Sequence, residues 1–398
     1  MLRLKHIPIR TFGENRAYIR QENAVFKGHV QQKSCLELRH QDRSICAFLY
    51  PLTRPQHLAI DEIGIDENTY RQLDVADGHE IEIAVVEPDA DRLIEKKNAG
   101  NILTASEYQR IIHEIDRGCI SLTQLSSLMR ALAQYFVPEE LSFLVASLIG
   151  RNRLFWDEYA LVTDCRSIGT MNSAYIEFAV WMIASAYGFP QPKVLTPYDE
   201  KIIDFLTPLT DLRWSVELFQ KILRENNICV SLQESLSICR VGLKMMQIFN
   251  KQEMALPVYI ALLLAVEASL GVSHLLIDIM IGENSIVKNA AQALQLKNTA
   301  EYIAKEVGIH LRVVLSDDQT SAENMDLAQV AEFFSQSAEL SPALKEQIYR
   351  VAGQVLEFDP NLSAGEGRKV AQKLLESGKV YETFAKVVRV QAQYRRMQ

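Results

Sequence analysis

The stretch Thr163-Asp164-Cys165-Arg166-Ser167-Ile168-Gly169-Thr170 decides the fold that the sequence predicts. It follows a short apolar run, 159–162, and precedes a long apolar helical pattern from Ser173 to Tyr187. A loop with Ser, Gly and Thr between a strand and a helix start commonly holds an anion, because the first N–H groups of a helix lack partners and the helix dipole favours negative charge. The pattern therefore predicts a strand over 160–162, a loop over 163–170 and an anion site at the helix start.

Strands and helices alternate in the chain that follows this stretch. Strand-like runs occur at 193–195, 274–279 and 310–315, and helical patterns such as 285–308 lie between them. This alternation predicts an α/β architecture in which helices cover a parallel sheet.

Two other parts of the chain have different patterns. Residues 1–88 contain short strand-like runs separated by turn residues, which predict an N-terminal β-barrel-like domain. The predicted strands are 17–19, 24–30, 34–38, 45–49 and 79–86, and a helix is predicted over 66–73. Residues 89–157 have helical periodicity, with one helix predicted over 138–149 because a proline and two acidic residues begin it. The helical segment 241–272 is expected to return to residues 89–157. We therefore predict a multidomain α/β protein with a β domain over 1–88, a helical domain over 89–157 with 241–272, and a parallel-sheet domain over 158–240 and 273–398.

The composition limits the classes of function. The 398 residues include 42 basic and 50 acidic side chains, and the resulting net charge of −8 argues against a nucleic-acid-binding protein with a broad basic surface. Glycine is scarce, with 17 residues, which is roughly 4% against a usual share of about 7%. Enzymes that hold phosphate with bare backbone need glycine where the chain approaches the ligand, so this scarcity weakens a prediction of phosphate chemistry.

The N-terminal sequence, the apolar stretches and the cysteines predict a cytoplasmic protein. Charges interrupt every apolar run at the N-terminus, which is unlike a signal peptide. The most apolar stretch, 256–272, contains Pro257 and Glu267 and is too short for a membrane span, so it predicts a buried helix. The cysteines form no Cys-x-x-Cys pair and no Cys/His cluster of zinc-binding spacing, so we predict reduced thiols and no metal site. They are Cys35, Cys46, Cys119, Cys165, Cys229 and Cys239.

Five short motifs follow one another in a recognisable order. They are 115–121 (IDRGCIS), 164–170 (DCRSIGT), Pro192-Lys193, 271–282 (GVSHLLIDIMIG) and 375–384 (LESGKVYETF). In this order the motifs resemble those of the thymidine phosphorylase and archaeal AMP phosphorylase family, which are pentosyltransferases. The N-terminal β domain makes the resemblance closest to the AMP phosphorylase type, although the C-terminal subdomain of the family is expected to be missing.

The resemblance implies an activity and an assembly. The family reaction is phosphorolysis of the N-glycosidic bond of a nucleoside or nucleotide, with phosphate as co-substrate and no other cofactor. Family members form homodimers through the helical domain. The expected ligand is therefore a nucleotide or phosphate, and the expected partners are a second copy of the chain and another protein. Binding to nucleic acid or to a membrane is not expected.

The resemblance also implies a site, several residues of which depart from the family pattern. Asp164, Ser167, Ile168 and Gly169 match the family phosphate loop, whereas its lysine is Cys165, its histidine is Arg166 and its second glycine is Thr170. Ser173, Lys193 and Thr196 complete the candidate phosphate or nucleotide site, and the proton-donor position carries Asn226. The serine- and arginine-containing loop that follows the Pro-Lys motif in the family is shortened here and brings in Asp199 and Glu200.

Three hypotheses about function follow from these departures. The preferred one is a degenerate phosphorylase relative, or pseudoenzyme, that binds a nucleotide or a protein partner. The second is a divergent phosphorylase that acts on a nucleotide such as AMP, with Arg166, Ser167, Thr170 and Lys193 holding phosphate. The third is a repurposed enzyme in which Cys165, beside an arginine and a helix start, is a nucleophile with a lowered pKa. Against these stand simpler interpretations, in which Arg166 pairs with Asp164 or a nearby acid, Ser167 caps the helix and Cys165 is a buried core residue.

Overall fold

The computed structural model describes residues 2–11, 14–23, 34–52, 58–150, 153–170, 173–249, 254–317, 326–336 and 339–395, without the side chain of residue 395. These residues form two compact units, Met1–Phe136 and Val137–Gln398. The three-domain boundaries drawn from the sequence stay a prediction.

The first unit contains a small closed β-barrel. Its strands are β1 (Leu2–His6), β2 (Arg16–Arg20), β3 (Cys35–His40), β4 (Arg43–Leu52), β5 (Glu62–Ile65) and β6 (Glu80–Val86), in the order β1-β5-β2-β4-β3-β6. Antiparallel pairing of β6 with β1 closes the sheet. Alternate residues such as Leu36, Leu38, Ala47 and Leu49 are buried in its interior, as the period of two in a strand requires.

The barrel confirms the prediction of an N-terminal β domain. Strands β1 and β5 were missed, because each is short and is followed by polar or glycine-containing sequence. The predicted strand 24–30 lies outside the described residues. The predicted helix at 66–73 is α1 (Glu67–Leu73), and the side chain of Asp66 caps it by accepting a hydrogen bond from Thr69 N.

Three helices complete the first unit. They are α2 (Asp89–Asn98), α3 (Ala105–Asp116) and α4 (Leu122–Gln134). Thr104 and Ser121 cap α3 and α4 in capping boxes with Glu107 and Gln124. These reciprocal hydrogen bonds fix where the two helices begin.

The second unit contains the predicted parallel sheet. Its three strands, in the order β11-β10-β7, are β7 (Thr163–Ile168), β10 (His274–Ile281) and β11 (His310–Asp317). A separate parallel pair consists of β8 (Gln191–Leu195) and β9 (Ile228–Leu232). The helices are α5 (Pro138–Ile149), α6 (Ser173–Tyr187), α7 (Glu200–Leu206), α8 (Val216–Asn226), α9 (Gln233–Leu236), α10 (Arg240–Ile248), α11 (Leu256–Ser269), α12 (Ala290–Val307), α13 (Leu327–Phe334), α14 (Pro342–Leu356), α15 (Glu366–Glu376) and α16 (Lys379–Arg395).

The start of the sheet differs from the prediction. The strand covers Thr163–Ile168, whereas residues 160–162, predicted as the strand, precede it. All six residues of β7 are buried, although Thr163, Asp164, Arg166 and Ser167 are polar. A buried strand tolerates such residues only when other segments supply their partners, and these partners cannot be read from the local sequence.

Two apolar helices form the core around β7. Thirteen residues of α6 are buried, and α11 is buried on all sides. Helix α11 packs on α5 and α12. Among the residues that the structure describes, no helix combines the length and the apolar character needed to cross a bilayer.

Helices α14 and α15 approach each other at Gly353 and Gly367. A Cβ atom on Gly367 would lie 2.1 Å from the carbonyl oxygen of Gly353, which is backbone and cannot rotate away. We expect Gly367→Ala to lower the free energy of unfolding by about 1–3 kcal/mol, as measured by urea denaturation. The control is Lys369→Ala, an exposed change on the same helix that is expected to be nearly neutral. Equal stability of the two variants would contradict this packing.

Candidate functional site

Arg166 lies in β7 with its side chain buried beneath α6, α11 and the end of β8. Its Nε donates to Glu267 Oε1 at 2.7 Å, and its Nη2 donates to the carbonyl oxygen of Val194 at 3.1 Å. Its Nη1 lies 3.9 Å from Glu177 Oε2 and 3.8 Å from Asp199 Oδ2. A fourth carboxylate, that of Asp164, lies 3.7 Å from Nε. One guanidinium is therefore surrounded by four acidic side chains.

These carboxylates also use the backbone and hydroxyl donors that an anion would need. Glu177 Oε1 accepts a hydrogen bond from Ser167 N at 2.6 Å. Asp199 Oδ2 accepts hydrogen bonds from Thr196 N at 2.7 Å and from Thr196 Oγ1 at 2.8 Å. The side chains thus occupy donors in both segments that were predicted to hold phosphate.

Lys193 forms a second buried ion pair beside the first. Its Nζ contacts Asp164 Oδ1, and both side chains are fully buried. The Nζ atom also lies 4.8 Å from the centre of the Trp181 ring, whose face attracts cations. With four carboxylates against Arg166 and Lys193, the cluster has a formal charge of −2 (−4 + 2) before any ligand enters.

Burial and neighbouring charges act in opposite directions on the two cations. Burial disfavours the charged form of Arg166, but the carboxylates led by Glu267 and Asp199 outweigh it and raise the guanidinium pKa above its usual range. For Lys193 burial is the larger effect, and it lowers the pKa well below the usual value despite the opposing charge of Glu267. Arg166 is therefore the permanent positive charge of the cluster.

Cys165 does not have the chemistry that its sequence neighbours suggested. Its side chain is buried, and desolvation, reinforced by the charge of Glu177, raises its thiol pKa well above the usual value. The lowered pKa expected for a nucleophile is wrong, because burial and the charges of Glu177 and Asp278 outweigh the lowering effect of the adjacent Arg166. Cys165 is a core residue, which is the simpler of the two interpretations.

The space left around Arg166 is very small. The cavity has a volume of about 10 Å³. It is lined by Arg166, Glu177, Thr196, Asp199, Met246, Tyr259, Leu263, Val266 and Glu267. A volume of about 10–15 Å³ is the least that a single water molecule needs. The described residues therefore leave room for one water molecule and none for a phosphate ion.

The remaining predicted site residues have structural surroundings. Ile168 is buried in the core, and a Cβ atom on Gly169 would lie 2.6 Å from Met280 Cβ, so packing against β10 accounts for this glycine. Thr170 is partly exposed, and Ser173 is buried at the start of α6. Asn226 ends α8, and its Nδ2 donates to the carbonyl oxygen of Ile222 at 2.9 Å, within its own helix.

Sequence reasoning found some members of the cluster and missed another. In the sequence, Asp199 lies in the shortened loop and Glu267 in the most apolar stretch, and the structure brings both to Arg166. Ser167 was interpreted as a helix cap, which is wrong, because it lies inside β7 and its hydroxyl has no hydrogen-bond partner among the described residues. Glu177 was missed, although a lone acid within the apolar run of α6 was a usable signal of a buried partner.

The residues best suited to a metal ion lie in the first unit. The Sγ atoms of Cys35, Cys46 and Cys119 lie within 4.8 Å of one another, and all three side chains are buried. Hydrogen bonds among the three thiols lower the pKa of Cys46 and raise the pKa of Cys35, and the pKa of Cys119 is also raised. Sequence spacing missed this cluster, because the three residues are far apart along the chain.

The comparisons with known proteins agree with this fold. No known family profile matches the chain. A protein of Methylococcus capsulatus named "Putative thymidine phosphorylase" is 25% identical over 414 residues, covering 99% of this chain and 79% of the relative. A protein of the same name from Legionella pneumophila (strain Corby) is 24% identical over 415 residues, covering 100% of this chain and 79% of the relative.

A solved structure extends the comparison to three dimensions. The crystal structure of anthranilate phosphoribosyltransferase from Thermus thermophilus superposes with a TM-score of 0.56 at 14% identity, covering 76% of this chain and 98% of that protein. At this identity the match concerns the fold alone. The resemblance found in the sequence is confirmed: along nearly its whole length the chain is similar to proteins named putative thymidine phosphorylase, and it shares its fold with a phosphoribosyltransferase.

Proposed function

We propose that this chain is a non-catalytic relative of the thymidine phosphorylases that works as a binding protein. The observation that carries the proposal is the state of Arg166, the one charged group of the family loop that was expected to capture an anion. It is surrounded by four carboxylates at 2.7–3.9 Å, and the adjoining cavity of about 10 Å³ is too small for phosphate. The site that would hold the attacking phosphate is filled by the protein's own acidic side chains.

Electrostatics opposes the family reaction at this position. Phosphorolysis requires a phosphate dianion held by cations and preorganised donors. Here the cluster is already negative, and each contact between an anion and a carboxylate at about 4 Å costs roughly 1–4 kcal/mol, depending on the effective dielectric constant. A phosphate would also have to displace Glu177 from Ser167 N.

The residues that would protonate the leaving base or act as a nucleophile are also unsuited to catalysis. An asparagine amide donates hydrogen bonds but does not transfer a proton at neutral pH, and Asn226 uses its amide within α8. Burial of Cys165 argues equally against new nucleophilic chemistry in the same place. Both alternative hypotheses therefore lack a working group in the described cluster.

An assay of base release tests the proposal. The purified chain is incubated with inorganic phosphate and, separately, AMP, thymidine and uridine, and free base is measured by chromatography beside an active thymidine phosphorylase. We expect release no greater than in the protein-free blank. The matched variant is Ser167→Ala, which removes a hydroxyl without a hydrogen-bond partner among the described residues and should leave the fold intact. Release by the wild-type protein that falls in Ser167→Ala would overturn the proposal in favour of a divergent phosphorylase.

The binding role is proposed for surfaces outside the Arg166 cluster. Inorganic phosphate and AMP are accordingly expected to leave the melting temperature unchanged, since only a ligand of the native state raises it. Homodimerisation through the helical segment is proposed from the family resemblance, and light scattering of the full chain tests it. No cofactor is proposed for this activity.

A further inference from the structure

Three cysteines of the first unit meet on the outer face of the barrel. Cys35 and Cys46 lie on the neighbouring strands β3 and β4, on the face opposite to the barrel interior, and Cys119 lies in the connection between α3 and α4. Their exposed fractions are 4%, 0% and 0%. Three thiols from three separate chain segments thus share one buried position.

The backbone fixes this arrangement independently of the thiols. Cys46 N donates to the carbonyl oxygen of Arg117 at 3.4 Å, which ties β4 to the end of α3. Cys119 N donates to the carbonyl oxygen of Glu114 at 2.9 Å, within the same turn. Phe48 packs beside the cluster as an apolar wall. The thiols are therefore held together by the fold.

We propose that Cys35, Cys46 and Cys119 bind one thiophilic metal ion, Zn²⁺, through three thiolates. Zinc–sulfur bonds of about 2.3 Å require sulfur–sulfur distances of about 3.8 Å in a tetrahedral site. The sulfur atoms already lie within 4.8 Å of one another, so small side-chain rotations bring them to bonding positions. Soft thiolate ligands select zinc or Cu(I) over magnesium and calcium.

The surroundings supply a fourth ligand and balance the charge. Cys35 and Cys119 line a groove of about 1010 Å³, from which a water molecule can complete a tetrahedron. Nearby, Arg117 Nη2 donates to Glu37 Oε1 at 2.7 Å, and Arg39 Nη2 donates to Glu37 Oε2. Zinc with three thiolates has a charge of −1, and with Glu37, Arg117 and Arg39 the sum is zero (−1 − 1 + 2).

The positions of the three cysteines indicate how zinc binding would affect the stability of the first unit. The ion would join two adjacent barrel strands to the α3–α4 connection, and the three thiols must release their protons to the solvent to bind it as thiolates. Binding to the native state alone would stabilise the first unit in proportion to the logarithm of the zinc concentration. This inference is independent of whether the second unit catalyses phosphorolysis.

Metal titration of the full chain tests the site. The protein is reduced, freed of metal with a chelator under anaerobic conditions, and titrated with Co²⁺ as a spectroscopic probe, followed by displacement with Zn²⁺. We expect one ion per chain, with thiolate-to-cobalt charge-transfer absorption and the visible bands of tetrahedral cobalt. Cys46→Ser should lose both signals. Cys239→Ser, which removes an equally buried cysteine outside the cluster, should keep them.

A second variant keeps the test decisive if Cys46→Ser fails to fold. Cys119→Ser is expected to lose the cobalt signals while circular dichroism shows native secondary structure. The proposal is overturned if the wild-type protein gives no thiolate charge-transfer band, or if the folded serine variants keep it. A disulfide between two of the three cysteines in place of a bound ion, identified by mass spectrometry after aerobic purification and again after metal addition, would likewise overturn it.

Discussion

Replacement of Arg166 by alanine is expected to lower the free energy of unfolding by about 3–5 kcal/mol, because it leaves buried carboxylates without their shared cation. Asp164 and Glu267 are both fully buried, and each keeps one oxygen without a hydrogen-bond partner among the described residues. Without the guanidinium, the free-energy cost of burying these two charges is no longer offset by a nearby cation. Urea denaturation at neutral pH measures the change.

The pH dependence of the stability of Arg166→Ala identifies the cause of its destabilisation. Without the cation, the buried carboxylates of the variant take up protons more readily in the folded state than in the unfolded state. The folded variant then binds more protons, so its stability rises relative to that of the wild-type protein as the pH falls from neutral towards about 4. A cavity left by the lost side chain would produce no such dependence.

Two further variants control this experiment. Arg224→Ala removes an arginine whose partner, Glu158, is largely exposed, and we expect a change within about 1 kcal/mol. Adding Glu267→Gln to Arg166→Ala should recover part of the lost stability, because it removes one of the uncompensated charges. An Arg166→Ala protein as stable as Arg224→Ala would contradict the role of Arg166 as the centre of a buried ion cluster.

Sequence patterns predicted the elements whose character is local. The apolar run of α6 gave its bounds, Ser173–Tyr187, and the helix at Pro138–Ile149 was predicted by its proline and acidic start. Both depend on residues within a few positions of each other. The order of the five motifs, four of which lie in the second unit, then predicted its fold through the resemblance to a known family.

The sequence did not predict the features that depend on distant partners. Strand β7 was interpreted as a loop because its polar residues are normally exposed, and its partners Glu177, Asp199 and Glu267 come from three other segments. The thiol cluster was not predicted for the same reason, since pairing of β3 with β4 and the contact of β4 with the end of α3 bring the three cysteines together. An ion pair between Arg166 and a nearby acid was correctly predicted as one alternative. The number of acidic side chains around Arg166 depends on the fold and could not be predicted.

Lys193→Met is expected to destabilise the protein by about 3–5 kcal/mol, because it removes the amine that contacts the buried Asp164 carboxylate and leaves that carboxylate without its partner. The double variant Asp164→Asn/Lys193→Met should recover part of this loss, because the uncompensated charge is then absent. A double-mutant cycle by urea denaturation is expected to give a coupling of about 0.5–3 kcal/mol between the two positions.

The lowered pKa of Lys193 adds a pH dependence to this cycle. Burial shifts the folded-state pKa below the unfolded value of about 10.4, so between the two values the unfolded chain binds more protons than the folded one. The contribution of Lys193 to the free energy of unfolding therefore rises with pH between these two pKa values. It falls as the pH drops towards the folded-state pKa. The stability advantage of the wild-type protein over Lys193→Met should grow from neutral to alkaline pH. Strictly additive effects in the cycle would contradict the coupling of Lys193 with Asp164, and an advantage that stays constant with pH would contradict the lowered pKa of Lys193.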